Sequence, residues 1–464
     1  MESLSLAEIA KLAGGSISAD DTSRIVSRVS TDSRTLQPGD LFVPLRGENF
    51  DGHRFIEQAV ERGATGAMVE ETWSGNAPAH FAVIRVADTL VGYQTLAANY
   101  RASLPLKVVA ITGSNGKTST KDFVGATLAR KFRVTKTEGN FNNHVGLPQT
   151  ILAANRKHEI AVWEIGMNHP GEIAALAKLA APDVAIITNV GVAHIEFMGS
   201  KEAIAAEKGA LAEAVAANGT VILNADDAFS ESIAKRTRAK IILAGIEIGS
   251  VRATDITQDS TGSEFTILEG AHRCRAQLPV PGIHMVQNAM LAVAAGRVFG
   301  LSLEECAAGL ASTPLTKARL QIRDIDGIQF IDDSYNANPD SMKAALRTLA
   351  ELDAEGRRIA VLGEMGELGA ESERGHRDVG EAAAALRIDE LIAVGPMGAT
   401  IARAAEKAGL QNSVAVGSPK EAAERLEKNA ASGDLILIKG SRAARMERVL
   451  EEFSRRPRAA GVAR

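Results

Sequence analysis

The second half of the chain alternates short apolar runs with alanine-rich segments. From Ile328 onward, β-branched runs of strand length are separated by segments with helical periodicity. Strands and helices that alternate in this way predict a parallel sheet covered by helices, with ligands at the carboxyl ends of the strands. We therefore expect a C-terminal Rossmann-like, doubly wound α/β domain. Its predicted strands lie in GIQFIDDSY, RRIAVLGE, DELIAVG, SVAVG and DLILIKG.

The pattern changes near Pro105, where an apolar run passes through a glycine-rich turn into a helical segment. We expect a central parallel-sheet domain to begin there and to end at a break near Pro314. The residues before it mix short strands, Pro-Gly turns and one amphipathic helix, which is typical of a small α/β domain. A chain of 464 residues is too long for one core, since cores stop growing near ~250–300 residues. The predicted domains span residues 1–105, 106–313 and 314–464.

The composition indicates a folded protein that does not bind nucleic acid. Apolar residues make up 45% of the chain and charged residues 23%, which is close to the average for globular proteins. The chain has 52 basic and 57 acidic residues and a formal net charge of -5. No overall basic surface is therefore available to neutralise a nucleic-acid backbone.

The sequence predicts a cytoplasmic protein with no membrane span. The N-terminal segment LSLAEIAKLAGG predicts a short amphipathic helix rather than a signal sequence. No apolar run reaches the ~18 residues that a spanning helix needs. Cys274 and Cys306 are too few for a disulfide scaffold, and both are expected to be small buried residues. The arginine-rich end, residues 455–464, is expected to be a solvated terminus.

The glycine-rich turn TGSNGKT predicts a triphosphate site of the P-loop type. A turn between a strand and a helix offers backbone N–H groups and a helix N-terminus to phosphates. Lys117 would neutralise the β- and γ-phosphates, and the Thr118 hydroxyl would bind Mg²⁺. Ile111 stands where the strict pattern has its first glycine, so the prediction depends on the strand–helix context. The predicted cofactor-binding residues of the turn are Gly113, Ser114, Asn115, Gly116, Lys117, Thr118 and Ser119.

Three further residues are candidates for the same site. Glu164 closes an apolar run, so a parallel strand would present its carboxylate beside the phosphate turn, where Mg²⁺ needs oxygen ligands. A strand-ending glutamate can equally face solvent. His194 follows the next strand, and spacing alone favours a hydrogen-bonding residue because imidazole suits softer metals. Lys208 lies beside Glu207, and the alternative to a functional role is an exposed ion pair.

At these residues the chain resembles the Mur ligase family. The phosphate turn is followed, in the order of that family, by EIGMNHPGE, TNVGVAHIEFMGS, EKG, NADD and PGIHMVQNAMLAVAA. The resemblance covers nearly the whole chain. Three segments are similar to the branch of the family that adds D-alanyl-D-alanine to UDP-N-acetylmuramoyl-tripeptide: STDSRTLQPGDLFVPLRGENFDGH, DDSYNANPDSM and VLGEMGELG.

The resemblance implies a catalytic set of Lys117, Glu164, His194 and Lys208. Thr118, Glu164 and His194 would surround magnesium, joined by Lys208 if its amine carries a carbamate. The implied nucleotide contacts outside the turn are Asn288, Arg319, Asp333 and Tyr335. The implied substrate contacts are Ser33 and Arg34 for the UDP end, and Thr137, Asn140, Asn142 and Asn143 for the sugar and peptide.

The resemblance also implies the reaction. The first domain would hold the UDP end of the precursor, the central domain would use ATP and Mg²⁺, and the C-terminal domain would admit D-alanyl-D-alanine. The peptide carboxylate would become an acyl phosphate, and the amine would displace phosphate to give UDP-N-acetylmuramoyl-pentapeptide. Because acyl phosphates hydrolyse, the C-terminal domain is expected to close over the site, with a hinge near residues 313–328. A monomer is the working hypothesis for the assembly.

Other functions stay open at this point. Another Mur ligase or a folylpolyglutamate-type ligase would use the same phosphate turn. A nucleotide-gated switch would hydrolyse ATP without any amine. A dinucleotide oxidoreductase is disfavoured, since VLGEMGELG lacks the G-x-G-x-x-G spacing. The sequence does not distinguish lysine from diaminopimelate in the acceptor peptide, and it assigns no role to Glu364 or Glu367.

Overall fold

The computed structural model describes residues 1–19 and 21–455. The arginine-rich end, from residue 456 onward, lies outside the described residues, so its predicted solvation stays a prediction. Within the part of the chain that is described, no helix combines the length and the apolar character that a membrane crossing requires. Cys306 is buried as expected, and burial raises the pKa of its thiol to about 12. Cys274 is only half-buried, so the expectation for that residue is wrong.

A small α/β unit occupies the N-terminal part. Its main sheet has the order β2-β9-β8-β5-β4, with β2 antiparallel and the other pairs parallel. The predicted amphipathic helix is present as α1, which begins with a capping box of Ser5 and Glu8 and ends at Gly14. The strands are β1 Leu4–Ser5, β2 Ser16–Ser18, β3 Ile25–Val26, β4 Val29–Ser30, β5 Leu41–Phe42, β6 Arg46–Gly47, β7 Phe50–Asp51, β8 Gly66–Glu70 and β9 Ala82–Val86. The helices are α1 Leu6–Ala13, α2 Ile56–Glu61 and α3 Thr89–Ser103.

The central part is built on a larger sheet of order β11-β12-β10-β13-β14-β15-β16-β17-β18. The strands are β10 Lys107–Thr112, β11 Val134–Lys136, β12 Ile160–Glu164, β13 Val184–Ile187, β14 Thr220–Asn224, β15 Lys240–Gly245, β16 Val251–Asp259, β17 Gly262–Glu269 and β18 His272–Leu278. The helices are α4 Lys117–Leu128, α5 Gly146–Ala153, α6 Glu172–Ala180, α7 Ile195–Met198, α8 Lys201–Glu213, α9 Ser230–Ala234, α10 Ile283–Val298 and α11 Leu303–Ala311.

This sheet is parallel from β11 to β16, in line with the prediction, but it continues into two antiparallel pairs, β16 with β17 and β17 with β18. The antiparallel extension was not predicted. Its signal is the alternation of buried and exposed positions along β16, because an antiparallel sheet can leave one face in water. The strands β12 and β13 are instead buried throughout.

The register of the parallel strands brings the candidate residues to one edge. Ile111 of β10 pairs with Glu164 of β12, and Thr112 pairs with Ile187 of β13. Both partners therefore lie beside the turn that begins at Gly113. The phosphate turn, Glu164 and the segment after β13 meet at the carboxyl edge of the sheet, where open α/β sheets bind ligands.

The C-terminal part has the predicted alternation of strands and helices. Its sheet has the order β19-β20-β24-β21-β22-β23, in which only the edge strand β19 pairs antiparallel. The strands are β19 Gln321–Ile325, β20 Ile328–Asp333, β21 Arg358–Gly363, β22 Glu390–Val394, β23 Ser413–Val416 and β24 Leu435–Lys439. The helices are α12 Pro339–Glu351, α13 Ser372–Ala385, α14 Gly398–Lys407, α15 Pro419–Asn429 and α16 Glu447–Arg455.

Candidate active site

The phosphate turn has a fixed conformation because the segment after β13 braces it. The backbone N–H of Ser114 donates to the carbonyl of Asn189 at 2.9 Å, and the N–H of Asn115 donates to the Asn189 side chain at 2.9 Å. The Thr188 hydroxyl donates to the Asn115 carbonyl at 2.5 Å. Gly113 lies so close to Thr188 that a Cβ there would collide with the hydroxyl. These contacts fix the backbone of the turn against the segment after β13.

Lys117 begins helix α4 and folds back over the turn. Its ammonium donates to the carbonyl of Gly113 at 2.7 Å. Gly116 precedes it with a φ of 78°, a left-handed conformation that favours glycine. A Cβ at Gly116 would also lie 2.6 Å from the Asn288 side chain. Lys117 is partly buried; this burial lowers the pKa of its ammonium, and the charge of Glu164 opposes that shift.

Glu164 is a buried carboxylate with three fixed contacts. The Thr118 hydroxyl donates to one of its oxygens at 3.0 Å, and the Asn142 amide donates to the other at 2.8 Å. Its backbone N–H donates to the Thr137 hydroxyl at 2.9 Å. Glu164 is only 3% exposed. The alternative that this strand-ending glutamate faces solvent is therefore wrong. The structure thus brings Thr118, Glu164, Thr137 and Asn142 together beside the phosphate turn.

The nucleotide side of the site combines residues from α10, the linker after α11 and strand β20. Asn288 of α10 is buried against Gly116. The Arg319 guanidinium stacks on the Tyr335 ring at 4.1 Å and donates to the Thr118 hydroxyl at 3.4 Å. Its buried Nε atom has no hydrogen-bond partner among the residues that the structure describes. This arginine therefore joins the phosphate turn to the aromatic ring of the C-terminal part.

Asp333 has a partner that the sequence analysis missed. Lys439, the last residue of β24, donates to its carboxylate at 2.5 Å and to the Asn336 carbonyl at 3.1 Å. Burial lowers the pKa of Lys439, and Asp333 opposes the shift. The signal was available, because Lys439 ends the apolar run LILIK where β24 lies next to β20. Lys439 is a further candidate residue of the nucleotide side.

Lys208 is buried, so the alternative to its functional role, an exposed ion pair with Glu207, is wrong. Glu207 instead accepts the backbone N–H groups of Gly171 and Ile173, each at 2.8 Å, at the start of α6. Lys208 is 1% exposed. Among residues 1–19 and 21–455, no hydrogen bond or ion pair to its amine is found. Burial, assisted by the charge of Lys117, places the pKa of Lys208 well below the usual lysine range.

The C-terminal part touches the phosphate turn directly. The Asn338 amide donates to the Asn115 side chain at 2.7 Å, and the Asp340 carboxylate accepts the backbone N–H of Val192 at 2.9 Å. Both residues belong to the segment DDSYNANPDSM, in which Asn338 also caps α12. The segment therefore starts a helix and docks that helix onto the turn.

A second contact across the same junction joins His194 to Glu367. The imidazole Nδ1 lies 2.6 Å from the Glu367 carboxylate, and this contact lowers the pKa of Glu367 against the opposing effect of burial. Both residues have positive φ, 62° and 59°. Non-glycine residues in this region are strained and cluster at functional sites. Glu367, to which the sequence assigned no role, therefore lies at the edge of the candidate site.

Three family models match successive parts of the chain. They are described as Mur ligase family, catalytic domain, at residues 25–99; Mur ligase middle domain, at residues 111–296; and Mur ligase, glutamate ligase domain, at residues 318–442. A UDP-N-acetylmuramoyl-tripeptide--D-alanyl-D-alanine ligase of Bacillus subtilis is 40% identical over 435 residues, 93% of this chain and 94% of that protein. The chain belongs to the Mur ligase family.

Solved structures of Mur ligases match the fold along its length. The crystal structure of MurF from Acinetobacter baumannii is 33% identical, with a TM-score of 0.90 over 98% of this chain and 100% of that one. The MurF ligase of Thermotoga maritima in complex with ADP is 29% identical, with a TM-score of 0.82 over 92% of this chain and 97% of that one. The predicted three-domain α/β architecture and the predicted family are confirmed, which excludes the oxidoreductase alternative.

The residues of this Mur ligase fit a magnesium ion that is shared with phosphates. Within the described part of the chain, no group of three or more His, Cys, Asp and Glu side chains is placed to hold a metal. Mg²⁺ in nucleotide sites usually takes one or two protein oxygens and completes its shell with phosphates and water. The Thr118 hydroxyl and the Glu164 carboxylate, adjacent at 3.0 Å, offer that pair. His194 has Glu367 as its partner, so its predicted place at the metal stays a prediction.

The predicted substrate residues lie in two places, the segment before α5 and a turn of the N-terminal part. Asn143 accepts the backbone N–H of Gly146 at 2.8 Å and shapes the turn before α5, while Asn140 is exposed. Ser33 is buried in a short turn of the N-terminal part, and the exposed Arg34 pairs with Asp32 at 2.8 Å. The bonds from Arg34 lower the pKa of Asp32 to about 2. The structure does not bring Ser33 or Arg34 into contact with the phosphate turn.

Proposed function

We propose that this chain is an ATP-dependent ligase that joins D-alanyl-D-alanine to UDP-N-acetylmuramoyl-tripeptide. The products are UDP-N-acetylmuramoyl-pentapeptide, ADP and phosphate, and the reaction belongs to the synthesis of the peptidoglycan precursor. The observation that carries the proposal is the near full-length similarity to a D-alanyl-D-alanine-adding ligase, at 40% identity over 93% of the chain. The preset phosphate turn beside a buried carboxylate supports the use of ATP.

The chemistry requires activation because a carboxylate is a poor electrophile. The peptide carboxylate takes the γ-phosphoryl group, and the amine then attacks the acyl carbon while phosphate leaves. A magnesium ion would neutralise the charge that develops on the transferred group. Lys117 and the backbone N–H groups at the start of α4 hold the phosphates, so two negatively charged reactants can approach each other.

Four residues have proposed roles around the metal. Thr118 and Glu164 supply oxygen ligands. His194 lies beside them, and the carboxylate of Glu367 fixes the orientation of its ring. A lysine needs its neutral amine to form a carbamate, and the lowered pKa of Lys208 favours that form. We therefore retain the carbamate of Lys208 as a proposed source of further oxygen ligands.

The remaining residues have proposed roles in binding. Asn288, Arg319, Tyr335 and Asp333 contact the nucleotide, and Lys439 keeps Asp333 in place. Ser33 and Arg34 bind the UDP end of the precursor. Thr137, Asn140, Asn142 and Asn143 line the path of the sugar and peptide.

The C-terminal domain excludes water from the acyl phosphate by closing over the central domain. The contacts of Asn338, Asp340 and Glu367 with the central domain support this role, because they connect the two domains at the phosphate turn. We place the boundaries at residues 105 and 313, and the hinge within residues 313–328. The reaction takes place in the cytoplasm, and the working unit is a monomer.

The experiment that tests the function is amine-dependent phosphate release. The purified protein receives ATP, Mg²⁺ and UDP-N-acetylmuramoyl-tripeptide, with lysine-containing and diaminopimelate-containing precursors in separate reactions. D-Alanyl-D-alanine should stimulate phosphate release, while diaminopimelate, lysine and glutamate should not. Phosphate release that is equal without any amine would instead identify a nucleotide-gated switch. Stimulation by glutamate alone would identify a different amide ligase.

A further inference from the structure

One buried carboxylate outside the proposed catalytic set connects three segments of the site. Asp122 lies on α4, one turn after Lys117, and is 2% exposed. One of its oxygens accepts the ammonium of Lys136 at 2.7 Å. The other accepts both the backbone N–H of Thr316, at 3.2 Å, and the Thr316 hydroxyl, at 2.6 Å. Both oxygens of this carboxylate are therefore hydrogen-bonded. One binds the segment at Lys136, and the other binds the segment at Thr316.

The first neighbouring segment leads to Glu164. Lys136 is the last residue of β11, and the next residue, Thr137, accepts the backbone N–H of Glu164. Lys121, the residue before Asp122, is also buried and lies 3.8 Å from the same carboxylate. A buried carboxylate between two cations is held by charge as well as by hydrogen bonds. Asp122 thus fixes the end of β11 against the helix that starts at the phosphate turn.

The second neighbouring segment is the linker that joins the central and C-terminal parts. Between the end of α11 at Ala311 and the start of β19 at Gln321, the chain has no regular structure. Asp122 binds this linker at Thr316 through both the backbone and the side chain. Two residues later the backbone becomes strained, since Ala318 and Leu320 have φ values of 59° and 52°. Such conformations persist only where the surrounding structure imposes them.

Arg319 lies between those two strained residues. Its guanidinium stacks on Tyr335 and reaches the Thr118 hydroxyl, and its buried Nε has no hydrogen-bond partner within the described part of the chain. A buried, unpartnered guanidinium nitrogen beside a phosphate turn is a donor that still requires an acceptor. The direction of the linker after Thr316 determines where that donor lies.

We infer that Asp122 is a positioning residue, which anchors the linker at Thr316 and so places Arg319 at the nucleotide. This inference rests on the proposed nucleotide site. The anchor keeps the linker fixed to the helix that carries Lys117, so domain closure takes place beyond Arg319, within residues 320–328. Arg319 therefore stays beside the phosphate turn while the C-terminal domain moves.

The test removes the hydrogen bond between the Thr316 hydroxyl and Asp122 by changing Thr316 rather than Asp122. Replacing Asp122 would leave the buried Lys121 and the half-exposed Lys136 without their nearest counter-charge and would damage the fold. Thr316→Val keeps the shape of the side chain and removes only the hydroxyl. Thr316→Ser keeps the hydroxyl and so keeps the hydrogen bond. Thr313→Val is the matched control, because Thr313 lies in the same linker but its hydroxyl donates to the Gly309 carbonyl at 3.2 Å instead.

Two readouts separate positioning from general stability. The first is calorimetric binding of the β,γ-imido analogue of ATP with Mg²⁺, and the second is hydrogen exchange of the amides at residues 316–320. Thr316→Val should weaken binding about tenfold and speed the exchange about tenfold, as expected for a lost hydrogen bond to a charged group. Thr316→Ser and Thr313→Val should stay within about twofold of the parent in both readouts.

Equal binding and equal exchange in Thr316→Val and Thr313→Val would overturn the inference. Faster exchange with unchanged binding would also overturn it, because the linker would then be anchored without placing Arg319. A parent protein that binds no analogue would instead refute the proposed nucleotide site. The exchange rates of the variants would still show whether the anchor exists, so the two failures are distinguishable.

Discussion

The phosphate turn and the face that the C-terminal domain presents to it are built in different ways. The turn is held by backbone groups and glycines within one domain, through contacts of Ser114 and Asn115 with Thr188 and Asn189. The opposite face reaches the turn through side chains of another domain, such as Asn338 and Glu367. Under the proposed domain closure, the first half of the site would exist before closure, and the second half would exist only while the domains are docked.

This difference predicts two classes of variant. Changes within the turn should remove catalysis whatever the position of the C-terminal domain. Changes on the opposite face should leave the chemistry possible but reduce the fraction of molecules in which both halves of the site are docked together. The predictions below compare the two halves, from the largest expected effect to the smallest.

Lys117→Ala should have the largest effect. Losing the cation that holds the phosphates should reduce kcat by about a thousandfold or more, since charge neutralisation dominates phosphoryl transfer. Amine-dependent phosphate release measures the loss. The exposed Lys157 provides the control, because Lys157→Ala removes the same charge from the surface. Comparable activity in the two variants would mean that the turn does not bind the phosphates.

Glu164→Gln tests the proposed metal ligand. The amide keeps the size of the side chain and one acceptor for Asn142 or Thr118, but it removes the charge that would bind Mg²⁺. We expect kcat to fall about a hundredfold and the Mg²⁺ concentration for half-maximal rate to rise. An unchanged Mg²⁺ dependence would show that Glu164 is not a metal ligand, whatever the rate.

Glu367→Ala tests the opposite face. Removing the carboxylate that contacts His194 should lower kcat about tenfold, as expected for the loss of a close polar contact with a charged group. Glu367→Gln keeps an acceptor and should recover part of the rate. Glu373→Ala removes an exposed acid from the same domain and should leave the rate unchanged. If Glu367→Ala were as active as Glu373→Ala, the contact with His194 would have no role in catalysis.

Asn338→Ser should have a smaller effect. Serine is as good a helix cap as asparagine, so α12 should remain stable, but serine lacks the amide that donates to Asn115. We expect kcat to fall by roughly threefold to tenfold, with a melting temperature within about 2 °C of the parent. A larger drop in melting temperature would assign the residue to capping rather than to docking.

The smallest expected effect concerns pH. Burial lowers the pKa of His284 to about 4 from 6.5. The unfolded chain therefore binds a proton between these values that the folded protein does not, and stability should fall as the pH drops from 6.5 to 4. We expect a loss of about 1–3 kcal/mol, which is measured by urea unfolding at each pH. In His284→Gln this part of the pH dependence should disappear.

The two halves also differ in how far sequence reasoning could predict them. The turn, its lysine and the strand-ending Glu164 follow from local order and from the rule that parallel strands share a carboxyl edge. The pairs that join distant segments do not, because no local pattern specifies which acid meets Lys439 or His194. The docking of Asn338 on Asn115, which are 223 positions apart in the sequence, depends on how two domains pack.

Local sequence patterns also could not predict which charged side chains are buried. Lys208 next to Glu207 in a helical segment resembles a solvated pair, yet Lys208 is buried and Glu207 binds the start of α6. The antiparallel extension of the central sheet was not predicted, because β16 alternates buried and exposed positions while β12 and β13 follow the continuous apolar pattern of a parallel sheet. The extension lies away from the phosphate turn, so this error left the site prediction intact.

The most direct test of the account follows one oxygen atom. If the peptide carboxylate attacks the γ-phosphate, the oxygen that bridges carbon and phosphorus must leave with phosphate when the amine attacks. A tripeptide precursor labelled with ¹⁸O in its terminal carboxylate should therefore transfer one labelled oxygen to each phosphate released, as mass spectrometry would detect. Phosphate whose new oxygen comes from solvent water would contradict the account.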